Sequence, residues 1–590
     1  MELMVADDYA ANLKPKRRWI APLIISLCIV AVYANSFRGP FVYDDLDSIR
    51  NNPQIRTVIP TLEPGRTPST ISGRPVLRLT FALNYTLSGL HVPLYHATNL
   101  FIHIAAALLV FGIVRRNLSS REFWGDHFIG VEAPLAATVA VIWAVHPLNT
   151  ESVTYIVQRA ESLAGVFYLL TVYGLIRSVE GSQRSRLWAV VAVIACAVGM
   201  ATKEILATAP LVALIYDRTF LAGSFTAALQ KRRSFYLSLA ATWIILIVLL
   251  ADGARSKSVG FHLGLSPLDY ARTQLPAIAH YLRLALYPSG LVLDEARLPV
   301  LHWRDIGWGW VICGLAAVVI AALWRKPWVG FLGAWFFLIL APSSSFVPIV
   351  TETAAEHRMY LPLIAVVALL VVAGWDVLSR YHLSRFSIPL AALAAITLGW
   401  ATIDRNNDYR TAVGLWRDTV AKRPFSARAH YNLGFALAED GHQFPPRSPQ
   451  AVAIAHQAAD EFRQTLHLMP DYYPAASRLG EALVELGDLS VAENYYTHLL
   501  TVGPHFQGEA HFQRGTLRAR RLDWAGAKDD FQAAVAARPD DAQSHYLLGV
   551  VLQQLNDWQG AERELQKALE LAPGNEDARA RLAQVLLRDH

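Results

Sequence analysis

The first two thirds of the chain alternates apolar runs with short polar loops. A helix that crosses a bilayer needs about 20 mostly apolar residues, within a range of about 17–25. Runs that meet or approach this length lie at 19–37, 95–114, 132–145, 161–176, 187–201, 204–216, 235–251, 306–324, 328–340, 361–378 and 388–403. Eleven spans are therefore expected. The segment 271–288 is half-polar, with Arg272, Gln274, His280 and Arg283, and reads as an interfacial or re-entrant helix. Charge supports that choice. With this segment kept outside, the basic clusters at Lys14, Arg115 and Arg116, Arg184 and Arg186, Lys231, Arg325, and Arg380 and Arg385 all fall on the inner side. A span at 271–288 would invert every later segment. The N-terminus is then expected inside and the C-terminus outside. The "VYA" ending at Ala34 is a poor cleavage site and the run before it is long for a signal peptide, so the first run reads as an uncleaved anchor.

After Asp404 the pattern becomes a repeat. Pro470, Pro504, Pro539 and Pro573 are spaced 34, 35 and 34 residues apart. Gly480, Gly515 and Gly549 keep the same beat, as do Ala458, Ala492, Ala527 and Ala561, and Phe462, Tyr496, Phe531 and Leu565. Gly and Ala where two helices cross closely, a large side chain filling the gap, and Pro closing the second helix make the tetratricopeptide (TPR) pattern. "EDGHQFPPRSPQ" reads as an insertion between the two helices of the Ala429 unit. Pro424, Trp416 and Ala412 fit the second half of an earlier unit whose first helix overlaps the last apolar run, so no flexible linker is expected. The expected fold is all-α: a polytopic membrane bundle over 1–404, then a TPR solenoid over 405–590.

Composition agrees. Of 590 residues, 53% are hydrophobic and 17% charged, where a soluble protein of this length would carry roughly 25% charged. Cys28, Cys196 and Cys313 lie in apolar runs and show no disulfide framework.

Against this background the charged residues at span ends stand out, because ionisable groups near a bilayer are costly and point to function. The first run is followed by "YDDLDSI" with Asp44 and Asp45, the third by "HPLNTESVTYIVQRAES" with His146, Glu151, Arg159 and Glu161. The fifth and sixth are joined by "TKE" with Lys203 and Glu204, and "AEHRMYLP" with Glu356, His357, Arg358 and Tyr360 precedes the tenth. Four loops thus carry acids and bases to one expected face. Single charges of this kind are commonly solvated caps, and His96 and His103 read as bundle-packing residues. The adjacent Asp44–Asp45 pair and the short "TKE" turn are harder to assign to solvation. Carboxylates beside Arg, Lys and His at headgroup depth suit a lipid-linked substrate. The cations can neutralise a leaving phosphate, and a carboxylate can take the proton of an attacking hydroxyl. There is no Gly-rich nucleotide loop, which calls for a pre-activated lipid donor, and no Cys/His spacing for zinc.

"FVYDD", "HPLNTESVTYIVQRAESLAG", "TKE" and "EHRMYLP", followed by TPR repeats, resemble the transmembrane-and-TPR O-mannosyltransferases and their bacterial relatives, within the GT-C superfamily of polyprenyl-phosphate-sugar glycosyltransferases. The resemblance covers nearly the whole chain. It implies inverting transfer of a sugar, often mannose, from a polyprenyl-phosphate donor to a hydroxyl at the extracytoplasmic face. It implies an Asp of the first loop as base, here Asp44 or Asp45, with Asp44 favoured and the other orienting the acceptor or assisting a metal. Arg358, Lys203 and Arg159 are then candidates for the donor phosphate; His146, Glu151, Glu204, His357 and Tyr360 would support the site. Relatives carry Arg-Glu-Leu where this chain has Arg159, Ala160 and Glu161. No cofactor is specified; a divalent cation is compatible with the acids. A protein acceptor held by the TPR array and membrane lipid are the expected partners, with no nucleic acid. The expected location is a bacterial inner membrane with the TPR region periplasmic, or the ER lumen in a eukaryote.

Two other readings compete. A non-catalytic TPR scaffold for an envelope complex explains the repeats but not the four charged loops. A transporter would place its charges at mid-membrane depth, whereas these lie at span ends. The enzyme reading predicts that Asp44, His146, Lys203 and Arg358 converge.

Overall fold

The computed structural model describes residues 19–58, 69–181, 183–251, 266–296, 299–345, 348–349 and 352–587; the basic cluster at Lys14 lies outside them. The chain divides into two compact units, Met1–Asp418 and Thr419–His590.

In the first unit all eleven expected apolar runs fall on helices. Among the described residues seven helical stretches are long and apolar enough to cross a membrane, including Ile20–Arg38, Val92–Leu118, Ile156–Val179, Pro362–Arg380 and Ser384–Asp408. The pair Glu204–Phe220 and Phe225–Lys231, bent by 108°, would make an eighth. Glu132–Ala144, Ser185–Met200 and Pro327–Leu340 have 13, 16 and 14 residues. At about 1.5 Å per residue they reach about 20–24 Å, short of a hydrocarbon core of about 30 Å. The expected count of eleven spans is therefore not confirmed. Two of these helices lead into polar loops, 146–158 and 201–208, whose first is almost wholly buried in protein. The chain's outer surface exposes Leu27, Ile194, Ile247, Val318, Ile396 and Trp400, as lipid contact requires. These features make it an integral membrane protein.

The half-polar segment 271–288 lies mostly on the helix Pro267–Leu286, which is not among the candidate spans. Packing explains its composition. Gln274 Nε2 donates to the Thr353 carbonyl at 3.0 Å, and Tyr281 Oη accepts the Ala355 N–H at 2.8 Å. The polar side of this helix thus holds the loop that leads into Pro362–Arg380.

Inside the bundle, the hydrogen bonds of the buried aromatic and imidazole rings join separate helices. His103 lies 3.0 Å (Nε2) from the Ala144 carbonyl and 2.9 Å (Nδ1) from Tyr360 Oη. The carbonyl can only accept, so Nε2 carries the proton and Nδ1 accepts from the tyrosine. His96 Nε2 lies 3.1 Å from the Gly39 carbonyl. Both histidines act in packing.

The second unit is a run of antiparallel helix pairs: Ala427–Gly441 with Pro449–Leu468, Tyr473–Glu485 with Leu489–Val502, Pro504–Arg520 with Trp524–Ala537, and Ala542–Gln554 with Trp558–Leu571, then Glu576–Leu586. The insertion shows as the loop 442–448, closed by the Ser448 side chain capping Ala451 N. Each pair crosses at its glycine. A Cβ on Gly434 would stand 2.7 Å from the Phe462 ring and one on Gly549 2.8 Å from Leu565; Gly480 meets Tyr496 and Gly515 meets Phe531 in the same way. Gly434→Ala is expected to destabilise this unit by about 1–3 kcal/mol through overpacking, read as a lower denaturant midpoint; an unchanged midpoint would show that the helices can separate at no cost.

The first and fourth pairs share a second device. His430 Nδ1 lies 2.6 Å from Glu461 Oε2 and Nε2 lies 3.0 Å from the Pro424 carbonyl; His545 makes the matching contacts with Glu564 and Pro539 at 2.6 and 3.1 Å. Burial opposes charge on His430, but the Glu461 hydrogen bond and the Pro424 carbonyl outweigh it and hold its pKa above 6.5. A raised folded-state value gives stability that is fully present below the unfolded pKa and is lost as pH rises through the folded one. The stability difference between the native chain and His430→Gln should therefore be largest near about pH 6 and shrink above neutrality. Thermal denaturation across pH measures it; a difference that grows with pH would contradict the charged pair.

Candidate functional site

The four charged loops come together in one cluster. Side chains fasten them together. Asp45 Oδ1 accepts the Val157 N–H at 2.7 Å, joining the first loop to the second. Glu151 Oε1 lies 2.7 Å from His357 Nδ1, and Glu151 Oε2 accepts the His357 N–H at 2.9 Å, joining the second to the fourth. Lys203 Nζ lies 2.5 Å from Glu161 Oε2, joining the third loop to the start of the helix Arg159–Val179 that follows the second. Glu204 faces Arg74 at 3.4 Å. A largely apolar cavity lies elsewhere, lined by Val114, Leu118, Phe331, Trp335 and Val372.

The two adjacent aspartates have different surroundings. Asp45 is fully buried, and its second oxygen accepts the Val42 N–H at 3.1 Å. Burial pushes its pKa up to about 8, against the pull of those two backbone donors. Asp44 is partly exposed, and its backbone N–H donates to Tyr155 Oη at 2.9 Å. Tyr43, just before it, has φ 48°, a left-handed conformation that a non-glycine residue adopts at a cost of about 1–3 kcal/mol. Its ring packs edge-on against Trp416 at 5.1 Å. The strained turn buries one carboxylate as a fastener and leaves the next at the surface of the loop cluster.

The expected supporting residues divide. Glu151 and His357 form the buried pair above; burial pushes Glu151 up to about 8 and His357 down to about 4. His146 has a partner at each ring nitrogen: Nδ1 accepts from Leu148 N at 3.2 Å, and Nε2 lies 3.2 Å from the carbonyl of Ala285 on the helix Pro267–Leu286. The Tyr360 hydroxyl turns inward to His103.

The three cations expected at a donor phosphate all have protein partners. Arg159 is fully buried. Its three nitrogens reach Asn99 Oδ1 at 2.6 Å, Thr80 Oγ1 at 3.3 Å and the Tyr95 carbonyl at 3.1 Å, and it stacks on Phe81 at 4.3 Å. Arg358 donates to the Ser343 and Thr353 carbonyls at 3.0 and 3.3 Å and to the Glu352 carbonyl. Lys203, paired with Glu161, keeps some exposure.

Several residues of this cluster have no role in the sequence reading. Asn99 accepts from Arg159 and donates to the Val153 and Ile156 carbonyls at 3.1 and 3.3 Å, so one side chain inside an apolar run holds the second loop. Asn406 takes Thr154 at 2.7 Å and donates to the Val32 carbonyl at 3.2 Å. Glu356, in the quoted "EHRMYLP" but given no role there, accepts the Val292 N–H at 2.6 Å; burial raises its pKa to about 8. Glu352 lies just outside that stretch and faces His357 Nε2 at 3.8 Å. A lone Asn in an apolar run was the available clue to Asn99.

Residues 404–442 and 512–576 match the tetratricopeptide repeat family. The chain is 26% identical over 486 residues to human protein O-mannosyl-transferase TMTC4, covering 72% of this chain and 64% of that protein. It is 27% identical over 585 residues to mouse protein O-mannosyl-transferase TMTC3, covering 88% of this chain and 60% of that protein. Fruit-fly (Drosophila melanogaster) protein O-mannosyl-transferase Tmtc2 is 30% identical over 285 residues, covering 45% of this chain and 29% of that protein. The chain thus spans somewhat less than two thirds of the curated relatives it matches. Across its apolar helices, its charged loops and its repeats, it is similar to the transmembrane-and-TPR O-mannosyltransferases.

Proposed function

We propose that this chain is a glycosyltransferase acting on proteins, and that it transfers a sugar, with inversion, from a polyprenyl-phosphate donor to a Ser or Thr hydroxyl at the extracytoplasmic face. The observation that carries this reading is the pairing of a partly exposed Asp44 with a buried, doubly hydrogen-bonded Asp45 inside a cluster of four charged loops. Asp44 is the general base. It takes the hydroxyl proton as the acceptor oxygen bonds to the anomeric carbon and the bond from that carbon to the phosphate oxygen breaks, releasing polyprenyl phosphate. Asp45 positions Asp44 by fixing the loop. Lys203 is the cation best placed to meet the donor, since Arg159 and Arg358 hold the loops. Residues 1–404 and 405–590, the bounds read from the sequence, are the transfer and acceptor-recruiting domains, and the repeat array offers a peptide-binding surface. The printed names of the relatives, protein O-mannosyl-transferases, support mannose as the sugar.

Membranes containing the protein, given radiolabelled polyprenyl-phosphate mannose and endogenous or peptide acceptors, should incorporate label into protein. No incorporation with any lipid-linked sugar would favour the scaffold reading.

A further inference from the structure

Glu151, Glu352 and His357 each offer one ligand atom within 4.8 Å of the others. Two ligands on opposite sides of one ion, each at about 2.1 Å, are about 4.2 Å apart. His357 Nε2 and the Glu352 carboxylate, 3.8 Å apart, already stand within that span, and Glu352 has room to turn onto an ion: its side chain is 36% exposed while that of His357 is 4% exposed.

The three residues are not equivalent. Glu151 holds His357 twice, at Nδ1 (2.7 Å) and at the backbone N–H (2.9 Å). That leaves Nε2 as the nitrogen facing Glu352, at 3.8 Å, with no hydrogen bond among the described residues. A histidine oriented through one nitrogen by a carboxylate, with its other nitrogen directed at a second carboxylate, is the arrangement by which proteins set an imidazole for a metal. We propose that His357 Nε2 and the Glu352 carboxylate bind a divalent transition-metal ion, with Glu151 as the outer carboxylate that orients the imidazole.

Charge around the site agrees. Among the described residues no Lys or Arg forms an ion pair with Glu151 or Glu352. Lys203 is taken by Glu161, Arg405 by Asp408 at 2.9 Å and Asp418 at 3.0 Å, and Arg358, the cation nearest Glu352, by the Ser343, Thr353 and Glu352 carbonyls. One imidazole and one carboxylate favour Mn2+, Fe2+ or Zn2+ over Mg2+ or Ca2+. Two protein ligands leave positions for water or for a phosphate oxygen, next to a loop cluster where Arg159 and Arg358 are occupied by protein. Binding through Nε2 also displaces a proton wherever that nitrogen carries one.

The inference shares these loops with the transferase reading but does not depend on it, because metal uptake is measured without donor or acceptor. The full chain, purified in detergent micelles and stripped with EDTA, is titrated with Mn2+ and followed by electron paramagnetic resonance. One bound Mn2+ per chain is expected, displaced by Zn2+. Glu352→Gln should weaken it at least about ten-fold, His357→Ala should abolish it, and Glu151→Gln should weaken it about 10–100-fold. Glu352 is exposed enough for its variant to fold, which matching melting temperatures verify. Absence of stoichiometric uptake by the native chain, or uptake unchanged in Glu352→Gln, would overturn the proposal and leave the transfer assay to be judged separately.

Discussion

Asp44→Asn is expected to lower sugar transfer by about 10²–10⁴-fold, the usual contribution of a general base, without changing the melting temperature. The expectation follows from what each aspartate touches. Asn at position 44 keeps the backbone N–H that donates to Tyr155 Oη at 2.9 Å, and keeps the turn through Tyr43. The substitution replaces one carboxylate oxygen with an NH2, so the proton acceptor goes. Asp45→Asn differs. It replaces one of two carboxylate oxygens that accept Val42 and Val157 N–H groups with an NH2 that cannot accept, in a fully buried site. An unsatisfied buried group costs about 1–3 kcal/mol, so this variant should lose both activity and stability. The pair of variants separates base from positioning residue. Near-native transfer by Asp44→Asn in a membrane assay would remove Asp44 as the base.

Arg159→Ala should be among the most destabilising substitutions in the membrane unit. It strips partners from Asn99 Oδ1, the Tyr95 carbonyl and Thr80 and opens a void against Phe81. A buried acceptor left without its partner costs about 1–3 kcal/mol, and here Asn99 Oδ1 and the Tyr95 carbonyl both lose theirs. Arg159→Lys keeps the charge but not the planar fork that reaches three partners at once, and should restore only part of the loss. Detergent-solubilised protein followed by thermal unfolding gives the comparison. A phosphate-binding arginine would behave otherwise: its alanine variant would melt normally and bind donor weakly. The same reasoning applies to Arg358, whose guanidinium lies on backbone carbonyls.

These cases show where sequence reading stopped. The motif around Arg159 marked a cation at a membrane boundary, and charge alone suggested an anionic ligand. Nothing in the local sequence announces that Asn99, Thr80 and Tyr95, each at least sixty residues away, converge on it. Asn99 itself sits in a run whose apolar character dominates any window average. The half-polar stretch beginning at Ala271 was legible as unusual, but its reason, that Gln274 and Tyr281 bond the backbone at Thr353 and Ala355, depends on long-range packing.

Length and hydropathy by themselves determined that the first region is a bundle of apolar helices, because backbone groups in lipid must satisfy one another within each segment. The spacing of Gly, Ala, aromatic and Pro positions determined the repeat pairs, because each Gly meets a large side chain of its own pair. These are local constraints, written at fixed separations. Which carboxylate of "YDDLDSI" is buried, which cations are already paired, and that Glu151 stands beside His357 were decided by tertiary structure alone. A side chain's hydrogen-bond partners depend on which loops the bundle brings together, and that contact has no period in the sequence.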